Sequence, residues 1–143
     1  MTVARILAEK GRDVLTTQPH RTVKEVAAQL ASRGVGAVIV SDATQAVLGI
    51  VSERDIVRAI GTGPASVLEE PVSRYMTAKV TTVDERASID RVMTLMTEGR
   101  FRHLPVVENG RLTGIVSIGD VVKRHVNAIE SEHRALRDYI ATA

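Results

Sequence analysis

With 143 residues, the chain can form one compact domain or two small repeats sharing a core, and it has no room for a catalytic barrel of about 250 residues. Hydrophobic residues at 44% and charged residues at 25% are those of a chain that folds, and 19 Lys and Arg against 17 Asp and Glu give no reason to expect a nucleic-acid or membrane partner. The absence of cysteine removes disulfides, iron–sulfur clusters, thiolate zinc sites and cysteine nucleophiles together.

No apolar run approaches the roughly 18 residues of a membrane helix, and the start Met1-Thr2-Val3-Ala4-Arg5 lacks a signal-peptide core, so a cytoplasmic protein is expected. The only aromatic residues are Tyr75, Phe101 and Tyr139, which leaves aliphatic side chains to fill the interior. Self-similarity organises everything else. Gly49-Ile50-Val51-Ser52-Glu53-Arg54-Asp55 recurs 65 positions later as Gly114-Ile115-Val116-Ser117-Ile118-Gly119-Asp120, with Thr16-Thr17 answering Thr81-Thr82 and Val38-Ile39-Val40 answering Leu104-Pro105-Val106. The lead-in Val3-Ala4-Arg5-Ile6-Leu7 is answered by Val72-Ser73-Arg74-Tyr75-Met76.

Along the chain, Val23, Val26, Ala27 and Leu30 form the stripe of a helix that opens on a Thr22–Glu25 capping box and stops at Gly34. Short strands follow over Ala37–Val40 and Leu48–Val51, then a second helix from near Ser52. Gly61-Thr62-Gly63-Pro64 and Pro71 mark a linker, placed at 63–71. The second copy repeats the order: a helix from Ser88 carrying Ile89, Val92, Met93 and Met96 and stopping at Gly99, strands over His103–Val107 and Leu112–Val116 joined by the hairpin dipeptide Asn109-Gly110, and a helix from near Ser117. The predicted class is α/β (α+β), two β-α-β-β-α units over 1–62, with the N-terminal segment, and 72–126. Each is too small to bury a good core alone. A helical extension runs over 127–143, where Val122, Val126, Ile129, His133, Leu136 and Ile140 follow at heptad steps, as a helix packed on its own domain or a dimer-forming helix.

The repeated Ser-x-x-Asp falls where a strand ends and a helix begins. Unpaired N–H groups and the positive end of the helix dipole there attract phosphate, and a carboxylate accepts hydrogen bonds from a sugar diol. The same spacing also suits a plain helix cap, worth about 0.5–2 kcal/mol with no ligand. Arg100-Phe101-Arg102-His103 stands at a strand entrance and reads either as a phosphate-holding cluster or as a solvated edge. Its counterpart Gly34-Val35-Gly36-Ala37 is small and uncharged, and Arg54 stands where the twin copy has Gly119, so two sites should differ in charge preference.

The two Gly-Ile-Val-Ser-x-x-Asp motifs, the Leu104-Pro105-Val106-Val107-Glu108 strand, the Tyr75-Met76-Thr77 lead-in and the Thr22 and Ser88 helix starts resemble the cystathionine-β-synthase (CBS) domain, and the tandem resembles a complete CBS pair, a Bateman module, from Val3 to about His125. The resemblance implies two repeats packed sheet to sheet about a pseudo-twofold axis, clefts that bind AMP, ADP, ATP, NAD or S-adenosylmethionine, and a disc-like homodimer. It implies one site with Asp55 on the ribose, Ser52 and Arg54 towards phosphate, Ile50 beside the base, and Phe101, Arg102 and His103 from the other copy. It implies a second with Asp120 on the ribose, Ser117 towards phosphate and Ile115 beside the base, against Thr22, Ala27, Val35, Gly36 and Ala37. Ile39 stands where the family usually has proline, and serine replaces the commoner threonine in both motifs.

The expected function is therefore a non-catalytic nucleotide sensor that reports AMP, ATP or NAD to an unknown partner protein, with an oligomerisation module that uses no nucleotide as the alternative. A multi-phosphate or dinucleotide ligand is expected opposite Asp55 and a smaller one at Asp120. No third glycine follows Gly34-Val35-Gly36, no phosphate-loop motif occurs, and His20, His103, His125 and His133 lack metal-site spacing, so no metal is expected. Lys123, Arg124, Arg134 and Arg137 interleave with Glu130, Glu132 and Asp138, the pattern of a solvated face and not of a nucleic-acid surface.

Overall fold

A computed structural model describes residues 1–142; Ala143, the last residue of the predicted extension, lies outside the described residues. Helix α2 (Val23–Arg33) begins as its sequence dictates: the Thr22 hydroxyl accepts from the Glu25 N–H at 3.1 Å, and Val23, Val26 and Leu30 are buried. It ends on Gly34, whose φ of 63° is the left-handed cap that glycine adopts freely. Its twin α4 (Ile89–Gly99) opens in the same way, with the Ser88 hydroxyl accepting from the Arg91 N–H at 3.0 Å, but closes differently. Gly99, the predicted stop, is still helical, and the left-handed position falls on Arg100 at φ 57°. A Cβ on Gly99 would penetrate the ring of Phe101, which packs on the core; the bare glycine seats that ring, and the conformational cost of about 1–2 kcal/mol passes to Arg100.

In the first sheet β1 (Thr16–Thr17) runs parallel to β2 (Ala37–Ser41), and β2 pairs antiparallel with β3 (Val47–Ser52) in the register Val38↔Val51 and Ile39↔Ile50. The second sheet holds only β4 (His103–Glu108) and β5 (Arg111–Ser117), with Leu104↔Val116 and Pro105↔Ile115. Asn109 and Gly110 join them with positive φ at both residues, 51° and 77°, as the dipeptide predicts. The predicted leading strand of the second unit is reduced to one bridge, in which the Val83 N–H donates to Pro105 O and the Val107 N–H to Val83 O. Beyond it the chain leaves the sheet, because the Asp84 carboxylate accepts from the Arg86 N–H and the Glu108 carboxylate captures the Glu85 N–H, each at 2.8 Å.

The two cores exchange their lead-in segments. Val3, Ile6 and Leu7 of α1 (Val3–Lys10) are buried with Ile89, Val92, Met96, Leu104, Val106, Val116 and Val121 of the second repeat, while Val72, Tyr75 and Met76 pack with Val23, Val26, Leu30, Val38, Val40, Val51 and Ile56 of the first. Each exchanged segment lies against a glycine of the repeated motif: a Cβ on Gly114 would come within 2.7 Å of Leu7, and one on Gly49 within 2.9 Å of the Thr77 carbonyl. Burying side chains the size of Ile6 and Leu7 is worth about 1.5–3 kcal/mol each, so each lead-in ties the other repeat to its own. The segment 63–71 is fastened too: its 3-10 turn Ala65–Glu69 buries Val67, and Glu70 O accepts from the Val23 N–H at 3.0 Å. Helix α3 (Glu53–Thr62) closes the first repeat, and α5 (Ile118–Thr142) continues from the second as a single helix of 25 residues.

Candidate functional site

Both Ser-x-x-Asp motifs sit at strand-to-helix junctions and close as capping boxes. Ser52 Oγ accepts from the Asp55 N–H at 3.3 Å, and Asp55 Oδ2 accepts from the Ser52 N–H at 2.9 Å and from its hydroxyl at 3.1 Å. In the second repeat Ser117 Oγ accepts from the Asp120 N–H at 3.2 Å, and Asp120 Oδ2 accepts from the Ser117 N–H at 2.9 Å. The first N–H of each helix is also used. Glu53 N–H donates to Gly36 O at 2.9 Å and Ile118 N–H to Arg102 O at 2.8 Å, which fixes Gly36 and Arg102 as counterparts across the pseudo-twofold.

Around Asp55 the two repeats enclose a cleft of about 600 Å³. Its walls include all seven residues the sequence places there: Ile50, Ser52, Arg54 and Asp55 from the first repeat, and Phe101, Arg102 and His103 from the second. Glu53, Arg58, Thr77, Lys79 and Arg100 are also among its lining residues. Five cations (Arg54, Arg58, Lys79, Arg100 and Arg102) thus face two carboxylates (Glu53 and Asp55), a net of three positive charges, and none of the five takes part in an ion pair among the described residues. Unpaired cations lining one concavity focus an attractive potential on an anion. Only Asp55 Oδ2 is used by the cap, and its Oδ1 has no hydrogen-bond partner among the described residues.

Asp120 is differently occupied. Lys10, at the last turn of α1, places its Nζ 2.6 Å from Asp120 Oδ2 and 2.9 Å from Ile115 O, with both side chains largely buried. Burial works against the Asp120 charge, but the Lys10 ammonium and the Ser117 N–H outweigh it and hold the carboxyl below its ordinary pKa. The residues predicted opposite it each have a local role as well. Thr22 spends its hydroxyl on the α2 cap, Ala27 packs on the first core, Ala37 pairs with Ser52 inside the first sheet, and Val35 is exposed. Gly36 also lines the Asp55 cleft, where a Cβ would lie 3.2 Å from the His103 ring and the bare backbone makes room for that imidazole.

His103 stands on the boundary between the two clefts. Burial lowers its pKa, an effect opposed by Glu53 and Asp120 and reinforced by Lys10 and Arg102, so the ring is neutral at pH 7. Arg100 reads as part of the basic cluster, whereas Lys10, Arg58 and Lys79 are the residues that motif reasoning missed. Lys10 and Lys79 were findable, since each follows its matched lead-in residue, Leu7 or Met76, by three positions. A second depression of about 590 Å³ lies at the other end of the first sheet. Its Arg21 is paired with Glu25 at 3.6 Å and its Asp42 is taken by Thr44 and Ala46, so it offers no comparable excess of charge.

Two pseudo-symmetric repeats with exchanged lead-ins and a cationic cleft at a repeated helix start define a tandem-repeat α/β architecture. The profile of the CBS domain matches residues 4–62 and 72–127, and the chain belongs to the CBS domain family as a tandem pair. The crystal structure of a CBS-domain containing protein from Agrobacterium tumefaciens aligns with a TM-score of 0.84 at 47% identity, covering 87% of this chain and 99% of that one. A CBS domain protein from Pyrobaculum aerophilum, solved as a complex with AMP, aligns at 0.75 with 28% identity over 84% and 89%. A mitochondrial CBS domain-containing protein of Arabidopsis thaliana is 33% identical over 97% of this chain and 71% of its own. Among the described residues no helix is long and apolar enough to cross a membrane, and no three His, Asp or Glu side chains gather as metal ligands.

Proposed function

We propose that the protein is an adenosine-nucleotide-binding regulatory module whose Asp55 cleft takes AMP, ATP or NAD, with a preference for the ligand carrying more phosphate. The observation that carries this reading is the excess of three positive charges in a cleft whose floor is a helix start. Asp55 Oδ1 is the acceptor for the ribose hydroxyls, Ile50 lies beside the base, and Ser52, Arg54, Arg58, Lys79 and Arg102 face the phosphates. The P. aerophilum relative solved with AMP supports the adenosine assignment.

A ligand in this cleft touches both repeats at once. Its binding energy therefore favours one arrangement of the two halves over others, and a partner protein that distinguishes the arrangements reads the ligand state. The module acts as a homodimer in the cytoplasm, and its output is conformational, not catalytic. At Asp120, with Ser117 and Ile115, a ribose has to displace the Lys10 ammonium first, so the Asp55 cleft fills before it.

Isothermal titration with AMP, ATP, NAD and S-adenosylmethionine tests the reading. Saturable binding of a phosphate-bearing ligand at one per chain is expected, and silence with all four to millimolar concentration would sink it. The competing reading, an interaction module that uses no nucleotide, is favoured by one observation: both acids already complete capping boxes without a ligand. It predicts that silence.

A further inference from the structure

Helix α5 leaves the body of the molecule. Beyond His125 every described residue, 126–142, is exposed. A helix of this length with no tertiary contact is marginal in water, and a solvated one carries no apolar stripe. Yet Val122, Val126, Ile129, Leu136 and Ile140 expose 49%, 45%, 53%, 58% and 67% of their surface. With His133 they follow at steps of 4, 3, 4, 3 and 4, the seam of a heptad repeat. Val126, His133 and Ile140 take the a positions, and Val122, Ile129 and Leu136 the d positions. Lys123, Glu130 and Arg137 then flank the seam at e, and His125, Glu132 and Tyr139 at g.

The flanking charges choose the partner and its direction. Against a second copy running parallel and in register, each g residue meets the e residue five positions on, so Glu132 faces the partner's Arg137 and His125 faces the partner's Glu130. Against a copy running antiparallel with the seam fully overlapped, Glu130 meets Glu130 of the partner subunit, Glu132 meets Glu132 of the partner subunit, and Lys123 meets the partner's Arg137. Every such flanking charge then faces its own sign. His133, the one polar residue of the seam, faces its own copy across the axis only in the parallel register, where a lone polar a position fixes alignment.

We propose that residues 122–140 of α5 pair with the same segment of a second copy as a parallel, in-register two-stranded coiled coil about 27 Å long. The inference rests on the homodimer reading above and adds to it the surface, the direction and the register. The two-fold axis then runs along the paired helices, and both bodies hang from the same end.

The 143-residue chain has no cysteine, so single substitutions report cleanly. Under mild oxidation Leu136→Cys is expected to form a disulfide-linked dimer on its own, and Ser131→Cys, on the outer face at f, is not. A link that requires mixing Val126→Cys with Leu136→Cys marks the antiparallel arrangement and overturns the inference. In sedimentation equilibrium Glu132→Arg is expected to raise the dimer dissociation constant tenfold or more, and adding Arg137→Glu to restore it. A dimer that forms no Leu136→Cys link defeats the coiled coil and leaves the homodimer standing; a chain monomeric at all concentrations defeats both. Circular dichroism melts of each variant verify the fold, which these exposed positions leave intact.

Discussion

The two helix starts carry one motif and the same capping geometry, and they differ in what surrounds the acid. Asp55 opens on a cleft walled by five unpaired cations, whereas Asp120 holds one cation, Lys10, in direct contact. Lys10 and Lys79 are counterparts, each three residues beyond the lead-in side chain that packs under the other repeat's glycine. In the first cleft Lys79 competes with four arginines for the space around Asp55; in the second, Lys10 has no rival, because Gly34, Val35 and Gly36 stand where Arg100, Phe101 and Arg102 stand in the other. Duplication preserved the backbone that presents an acid at a helix start. Divergence of the neighbouring charges left one acid facing an open cleft and the other bonded to the chain's own ammonium.

The sharpest way to break this contrast is to remove each acid in turn. Asp55→Ala is expected to weaken nucleotide binding ten- to a hundredfold by titration calorimetry, the loss of a charge-assisted hydrogen bond worth about 1.5–3 kcal/mol, while Asp120→Ala leaves the first binding event unchanged. Equal losses would erase the distinction between the clefts. Removing the rim charges Arg54 and Arg58 together should weaken ATP about tenfold and AMP less, with a shallower dependence on salt. Lys10→Ala is expected to raise the stoichiometry measured by native mass spectrometry from one nucleotide per chain to two; an unchanged value would show that Lys10 is not what closes the Asp120 side.

The smallest effect concerns the residue between the clefts. Burial holds the folded-state pKa of His103 below its ordinary 6.5, so as the pH falls the unfolded chain takes up the proton first. Its contribution is complete above about pH 6.5 and is lost as the pH drops through the lower folded value. Denaturant titrations of His103→Gln at several pH values should show a flatter dependence across that window than the parent chain.

Local chemistry made much of this legible. Thr22, Ser88 and the Asn109-Gly110 pair act within a few residues of themselves, and the helix caps and the hairpin stand where the residues put them, although Glu25 pairs with Arg21 and leaves the expected Thr22–Glu25 capping box half formed. The seven side chains around Asp55 are expected from the resemblance to CBS domains, and they line one cleft. What escaped depends on distance or on competition. The Lys10–Asp120 contact joins residues 110 positions apart, and no spacing rule reaches that far. Gly99 resembles a helix stop until the Phe101 ring claims the space, and the leading strand of the second repeat shrinks to the Val83 bridge because Asp84 and Glu108 capture the N–H groups that follow it.

The exchange of lead-ins also bears on how the chain matures during synthesis. Val3, Ile6 and Leu7 are translated before every other residue of their core, yet their seat is built from side chains as late as Val121. The first repeat's core needs nothing beyond Met76 and can close while the chain is still growing. Until the ribosome has delivered most of the second repeat, α1 waits with its apolar face uncovered, and a segment made before the first repeat docks after it.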